Sequence, residues 1–270
     1  MTVADDLLAS QLAAEAGRRL LGLRARGGEP GALRDAGDKL SHEFLMAELA
    51  RQRPADAVLS EEGADDPARL SARRVWIVDP LDGTREFGEA GRTDWAVHVA
   101  LWQEGELAAG AVALPAVGQV LSTADVPSAP SEQPEGQLRL LASRSRPPAF
   151  VQAMADELGA ELVGMGSAGA KAAAVIMGKA TAYVHSGGQF EWDSAAPVAV
   201  AQAAGLHASR IDGSRLIYNQ ADPSVPDILI CPIELAGRLL AVISRVQPTA
   251  HEPARSARRD HVPANTRPTQ

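Results

Sequence analysis

The sequence predicts a mixed, layered α/β fold, because helical and strand-like segments alternate and some strands are joined by hairpins, which a purely parallel sheet does not allow. With 270 residues, 46% of them apolar, the chain can fill a sizeable core in one large domain or two small lobes. No internal repeat interrupts the pattern.

The elements follow in order. Leu7, Leu8, Leu12, Ala16, Leu20 and Leu23 recur at helical spacing over residues 5–24. Gly27-Gly28-Glu29-Pro30-Gly31 breaks that helix. A second helix is predicted over 38–52 with Asp38 at its start, where the helix dipole favours a carboxylate. Ala57–Ser60 reads as a short strand ending at Glu61. Val75–Val78 is a buried strand that Pro80 is expected to stop. Residues 94–102 form a strand, Glu104-Gly105 a hairpin turn and 106–114 its partner, with a third strand at 118–122. Residues 125–137, rich in Pro, Ser and Glu, read as a surface loop and mark the boundary between a lobe over 1–137 and a lobe over 138–246. The second lobe is predicted as strand 138–142, helix 148–158, strand 161–165, a helix of small residues from Gly166-Ser167 to Met177, strand 180–185, helix 193–204, strand 227–231 and a helix to about 245. The tail, 247–270, has little apolar content and is expected to be disordered.

Composition excludes several functions. A net charge of −8 and a pI of about 5.3 argue against a general nucleic-acid or membrane-surface binder, which needs a basic face. No apolar run approaches a bilayer span and no signal peptide is read, so a cytoplasmic protein is expected. The single cysteine, Cys231, lies in an apolar run and reads as a packing residue in a reducing compartment.

The chemistry centres on Val75-Trp76-Ile77-Val78-Asp79-Pro80-Leu81-Asp82-Gly83-Thr84. Its strand delivers Asp79 and Asp82 together at one end. Two carboxylates this close repel, and a hard divalent cation such as Mg²⁺ removes that cost, with the Leu81 carbonyl as a further oxygen donor. Alone, Asp-x-x-Asp is an ordinary strand end. Ser60-Glu61-Glu62 upstream and Glu191-Trp192-Asp193 far downstream turn it into a candidate metal site.

Asp-Pro-Leu-Asp-Gly-Thr, with the upstream Glu-Glu and downstream Trp-Asp, resembles the inositol monophosphatase superfamily of Mg²⁺-dependent, lithium-sensitive phosphatases. Arg85-Glu86-Phe87 is similar to its CysQ-type 3′(2′),5′-bisphosphate nucleotidases. The likeness runs from about Leu7 to about Leu240. It implies a five-layered αβαβα sandwich of the sugar phosphatase type, with the active site between two lobes. It also implies two Mg²⁺ ions. Glu61, Asp79 and the Leu81 carbonyl would hold the one that activates water, and Asp79, Asp82 and Asp193 the one at the leaving oxygen. A third, weaker ion near Glu61 is typical of the family. Thr84 and Asp38 match the pair that orients and polarises the water; Asp38 could equally be a helix cap. Many members carry Ser-Pro-Val-Thr before that aspartate, whereas here the segment reads Arg34-Asp35-Ala36-Gly37-Asp38-Lys39.

Substrate contacts are expected from Gly83, Thr84 and Arg85, whose backbone N–H groups open a helical turn. Gly166, Ser167 and Lys171 resemble the family Gly-Ser-x-x-x-Lys element, with Lys171 equally readable as a solvated lysine. Ser143-Arg144-Ser145-Arg146 is similar to the Ser-Arg-Ser segment of the bisphosphate nucleotidases; its hydroxyls and guanidiniums could hold the phosphate not hydrolysed, and the run also reads as a loop with surface arginines. His185, Gln189 and Trp192 flank the last acid and could line a base or sugar pocket, although Trp192 also reads as a core wedge. His42, His98 and His207 show no metal-ligand spacing and receive no role.

The resemblance implies conversion of 3′-phosphoadenosine 5′-phosphate to AMP and phosphate, clearing a by-product of sulfate assimilation. The partner would be a small nucleotide bisphosphate, not a nucleic-acid polymer or a membrane. The family is often dimeric, so a homodimer stays open. The rivals are a broader phosphatase of inositol 1-phosphate or fructose 1,6-bisphosphate, and a non-catalytic metal or phosphate sensor on the same fold.

Overall fold

The computed structural model describes residues 4–125 and 137–247. The loop expected over 125–137 and the tail expected from 247 lie outside the described residues except for their end positions. The chain opens with α1 (Asp5–Ala25) and α2 (Pro30–Gln52). Then β1 (Ala57–Ser60), β2 (Arg74–Asp82), β3 (Ala96–Gln103), β4 (Glu106–Leu114) and β5 (Gln119–Ser122) form a five-stranded sheet in sequence order. β1 pairs parallel to β2 and the others pair antiparallel. The short helix α3 (Thr84–Gly88) lies between β2 and β3.

The second sheet has the order β7-β6-β8-β10-β9. It comprises β6 (Arg139–Ser143), β7 (Glu161–Met165), β8 (Ala182–Phe190), β9 (Leu206–Ser209) and β10 (Ser224–Pro232). Its helices are α4 (Ala149–Leu158), α5 (Ala168–Ile176), α6 (Glu191–Ala203) and α7 (Ile233–Val246).

The side-chain period of two decides which face of each strand meets which helices. Trp76, Val78, Val97 and Val99 pack under Leu12, Leu20, Leu45 and Leu49 of α1 and α2. Ile77, Ala96 and Ala100 point the other way, onto α5 and α6, whose small residues also meet Tyr183, Ile228 and Ile230 of the second sheet. Leu140, Val184, Leu229 and Cys231 face Val151, Met154, Leu239 and Ile243 of α4 and α7. The layers are therefore helix, sheet, helix, sheet, helix, and the middle helices belong to a core shared by both sheets. Alanine-rich α5 and α6 fit there because two sheets must approach one helix layer from opposite sides.

Several local expectations are corrected. The second helix begins at Pro30, not Asp38. Proline is well placed at a first helical position, and Glu29 caps the helix by accepting from the Ala32 N–H at 2.9 Å. Asp38 is therefore not a cap but sits inside α2. Pro80 does not stop the strand: β2 continues to Asp82 through a bulge, with Asp79 opposite His98 and Asp82 opposite Ala96. The bulge absorbs the residue that cannot donate to the ladder. β8 reaches Phe190, and α6 starts at Glu191. The strand β9 and a 3-10 turn at Pro67–Ser71 add to the elements that the sequence pattern predicts.

That turn carries Arg69, whose side chain is 1% exposed. Its guanidinium donates to Asn219 Oδ1 at 2.7 Å, the Gln220 carbonyl at 2.9 Å and Asp65 Oδ1 at 2.6 Å. The N–H groups of Asn219 and Gln220 in turn donate to Glu191 at 2.7 Å each. Arg69 thereby ties the first sheet's edge to the start of α6. Among the described residues, no helix is long and apolar enough to cross a membrane. Arg69→Ala, which strands these acceptors, should cost about 3 kcal/mol of stability, read as a lower urea midpoint at unchanged m value.

Candidate active site

The bulge in β2 explains how two aspartates three positions apart reach one site. Asp79 is 1% and Asp82 7% exposed, although both are carboxylates. Asp82 Oδ2 is fully engaged by protein, accepting from Ser167 Oγ at 2.5 Å and from the Gly169 N–H at 2.7 Å at the start of α5. Its other oxygen is left for a ligand. Asp193, in the first turn of α6, uses Oδ2 to accept from the Phe190 N–H at 2.7 Å. Asp79 Oδ1 accepts from the Leu81 N–H at 3.0 Å, which folds the Leu81 carbonyl around. Glu61 follows β1, parallel to β2, and its N–H donates to the Val78 carbonyl at 3.4 Å.

The acids perturb one another. Asp79 is raised well above its ordinary range by burial and by Glu61 and Asp82. Glu61 keeps a solvent-exposed side chain, yet the protein around it, with Asp193 adding, pushes it up to about 7. Burial and the charge of Asp82 push Asp193 up to about 6. Burial would also raise Asp82, but His98 and then Lys171 outweigh it and hold this carboxyl at about 2. Raised carboxyls of this kind mark negative charge that the protein's own cations leave uncompensated. Oxygen donors in that state fit a hard divalent cation.

Beside them, the single hydroxyl proton of Thr84 is shared between two acceptors, the Leu81 carbonyl 3.0 Å and Asp38 Oδ1 3.2 Å from Oγ1. Asp38 gets there because Gly37 lets α2 lie against Leu81 and Phe87; a Cβ at Gly37 would come within 2.9 Å of both side chains. Burial, then Glu62, raises the Asp38 carboxyl to about 6, despite the Thr84 hydrogen bond.

A cleft of about 230 Å³ opens at this point. Asp82, Gly83, Thr84 and Arg85 line it from the first sheet's side, and Ser143, Gly166, Ser167, Lys171, His185 and Asp193 from the second. Ser145, Arg146 and Gln189 line it as well. Lys171 is no solvated lysine: it is 3% exposed, and Nζ donates to the carbonyls of Ser167, at 2.9 Å, and Gly166. Burial lowers it to about 8. Two expected contacts lie elsewhere. Arg144 points to α3, paired with Glu86 at 2.6 Å and Glu89 at 3.0 Å, so Arg146 is the cleft arginine of that segment. Trp192 packs against the central core and stacks on Phe190, ring centroids 4.8 Å apart.

The sequence reading missed Asp94, which accepts from the Gly166 N–H at 2.7 Å and so fixes the turn before α5. It also passed over His98, whose Nε2 lies 3.1 Å from Asp82 Oδ2. The signal was present: His98 is a polar residue in a strand whose neighbours on both faces are apolar. His42 pairs with Ser60 at 3.0 Å and His207 with Ser209 at 2.8 Å.

A layered sandwich with an acidic cleft between its two sheets is the architecture of the sugar and nucleotide phosphatases that the motifs resemble. The chain belongs to the inositol monophosphatase family, whose model matches residues 7–247. The 3′-phosphoadenosine 5′-phosphate phosphatase of Mycobacterium leprae is 51% identical over 255 residues, covering 90% of this chain and 94% of that protein. The Mycobacterium tuberculosis protein of that name is 52% identical over 240 residues, covering 85% and 90%. CysQ of Escherichia coli, a 3′(2′),5′-bisphosphate nucleotidase, is 32% identical and covers 68% and 78%. Among solved structures, CysQ from Bacteroides thetaiotaomicron superposes with a TM-score of 0.70 at 25% identity, covering 84% of this chain and 97% of that one. Inositol monophosphatase II of Staphylococcus aureus shares the fold, with a TM-score of 0.73 at 23% identity, covering 86% and 92%.

The raised acids make stability depend on pH. Asp38 and Asp193 at about 6 and Glu61 at about 7 bind protons more tightly in the folded chain than in the unfolded one, at about 4. Their contribution is full below about pH 4 and is lost as pH rises through 6 to 7. Asp82, held at about 2, works the other way, and its contribution disappears only in strong acid. The Tm of metal-free protein should therefore fall by on the order of 5 °C between pH 5 and pH 8, and saturating Mg²⁺ should abolish the fall. A Tm flat over that range without metal would contradict the crowding of these groups.

Proposed function

We propose that this chain is a Mg²⁺-dependent phosphatase that removes the 3′-phosphate of 3′-phosphoadenosine 5′-phosphate, giving AMP and phosphate. The observation that carries the reading is the convergence of Glu61, Asp79, Asp82 and Asp193 with the Leu81 carbonyl, next to the Thr84–Asp38 pair. The relatives that are 51–52% identical over most of the chain support the substrate.

Glu61, Asp79, Asp82, Asp193 and the Leu81 carbonyl would hold two Mg²⁺ ions, and a third, weaker ion would take Glu61 as a ligand. When bound, these supply positive charge at the attacking water and at the leaving oxygen. Thr84 Oγ1 orients the water, and Asp38, raised to about 6, is an ionised proton acceptor at neutral pH whose affinity is matched to that task. Ser167 and the Gly169 N–H keep Asp82 in one rotamer, so its free oxygen is presented without reorganisation. Arg85 and Arg146, both exposed and both lining the cleft, supply cationic donors for the phosphate that stays on the nucleotide.

Phosphate release should be faster from 3′-phosphoadenosine 5′-phosphate than from inositol 1-phosphate or fructose 1,6-bisphosphate; the nucleotide as the poorest of the three would reject the substrate. Asp82→Asn should lower kcat at least ~10²-fold with the fold intact by circular dichroism. A variant that turns over at the wild-type rate would reject the metal-dependent chemistry. Arg146→Ala should raise KM for the bisphosphate by ~10-fold while leaving KM for inositol 1-phosphate within a factor of about two.

A further inference from the structure

His98 is a fully buried imidazole at the centre of the acidic site, outside the set of oxygen donors proposed for the metal. It stands on β3 directly opposite Asp79, on the face of the sheet that meets α5 and α6. Each ring nitrogen touches a different part of the site. Nδ1 donates to the Trp192 carbonyl at 3.0 Å, one residue before Asp193. Nε2 lies 3.1 Å from Asp82 Oδ2, close enough for charge contact but without the alignment of a hydrogen bond. The ring therefore spans the gap between the strand that carries Asp82 and the helical turn that carries Asp193.

Asp79, Asp82 and His98 offer ligand atoms within 4.8 Å of one another, so His98 could be read as a metal ligand itself. Its surroundings argue otherwise. Nε2 is sealed from solvent, and the ring edge rests on the backbone of α5, where a Cβ on Gly169 would come 2.1 Å from Nε2. His98 does not line the cleft. The oxygen it approaches, Oδ2, is the one already engaged by Ser167 and Gly169, not the one left for a ligand.

We propose that His98 is a positioning residue: it bridges Asp82 and the Trp192 carbonyl, and so sets the separation of two acidic ligands, one at the end of β2 and one in the first turn of α6. Gly169 is part of the device, because only a residue without a side chain leaves space for the ring. The inference rests on the metal reading given above. Groups that orient metal ligands from behind typically carry a 10–100-fold share of metal affinity.

The test is direct binding of Mn²⁺, followed by calorimetry and by electron paramagnetic resonance, to wild-type protein and to His98→Ala, His98→Gln and His98→Asn. His98→Ala should weaken Mn²⁺ by ~10–100-fold and raise the half-activating Mg²⁺ concentration by a similar factor, while kcat recovers at saturating Mg²⁺. Gln can return an N–H toward Asp82 and Asn one toward Trp192, so each should restore part of the affinity. Bound Mn²⁺ in the wild type should show no ¹⁴N coupling from an imidazole. An unchanged Mn²⁺ affinity in His98→Ala overturns the proposal, as does a ¹⁴N coupling that His98→Ala removes, which would make His98 a ligand. Affinity that follows only the loss in Tm across all three variants, with no rescue by Gln or Asn, also overturns it. Failure of the wild type to bind Mn²⁺ at all would instead strike the metal reading.

Discussion

Mutual repulsion of carboxylates in a place with little water is the constraint around which this molecule is built. Asp79 and Asp82 are almost wholly buried, Asp193 and Glu61 adjoin them, and most of the group is driven toward protonation. A chain that gains nothing from this arrangement would not keep it, since each uncompensated charge opposes folding. The cost is tolerable because it is local and because a divalent cation bound there would reverse it.

The rest of the fold can be understood as what holds those groups in place. The bulge at Pro80 and Leu81 puts both aspartates of β2 on one site. The N-terminal turn of α5 gives Asp82 a hydroxyl and a backbone donor, while Asp94 fixes the turn that leads into it. Asp193 sits in the first turn of α6, a position the helix dipole favours for a carboxylate. That helix start is itself anchored by Glu191, through the loop that Arg69 grips. Arg144 adds a second tie, joining the segment after β6 to Glu86 of α3. Rigid ligands matter here because metal chemistry is sensitive to displacements smaller than an ångström.

Arg144 and Arg146 show how nearly equal residues acquire different duties. Both belong to one Ser-Arg-Ser-Arg run, and both carry the same charge. One faces Glu86 of α3 and Glu89 just after it and is consumed as structure; the other faces the cleft. Nothing in the local sequence distinguishes them, because the distinction lies in Glu86 and Glu89, nearly sixty positions earlier. Lys171 makes the same point in reverse: with a helical surface lysine and a ligand contact equally open, it proves buried among backbone carbonyls at the edge of the cleft.

By itself the sequence determined what depends on local pattern. Apolar periodicity placed most helices and strands, and alternation of helices with hairpins set the layered class. A compact acidic motif with two distant partners named the chemistry, because spacing within a strand end survives any tertiary arrangement. Tertiary structure alone decided the rest. Whether Pro80 ends a strand or bulges it depends on β3 being there to continue the ladder. Whether Asp38 caps a helix or faces Thr84 depends on Gly37 pressing α2 onto Leu81 and Phe87. His98 carries no motif; it matters only because folding packs β3 against α5 and α6, leaving its two nitrogens beside an aspartate and a carbonyl that the chain keeps far apart.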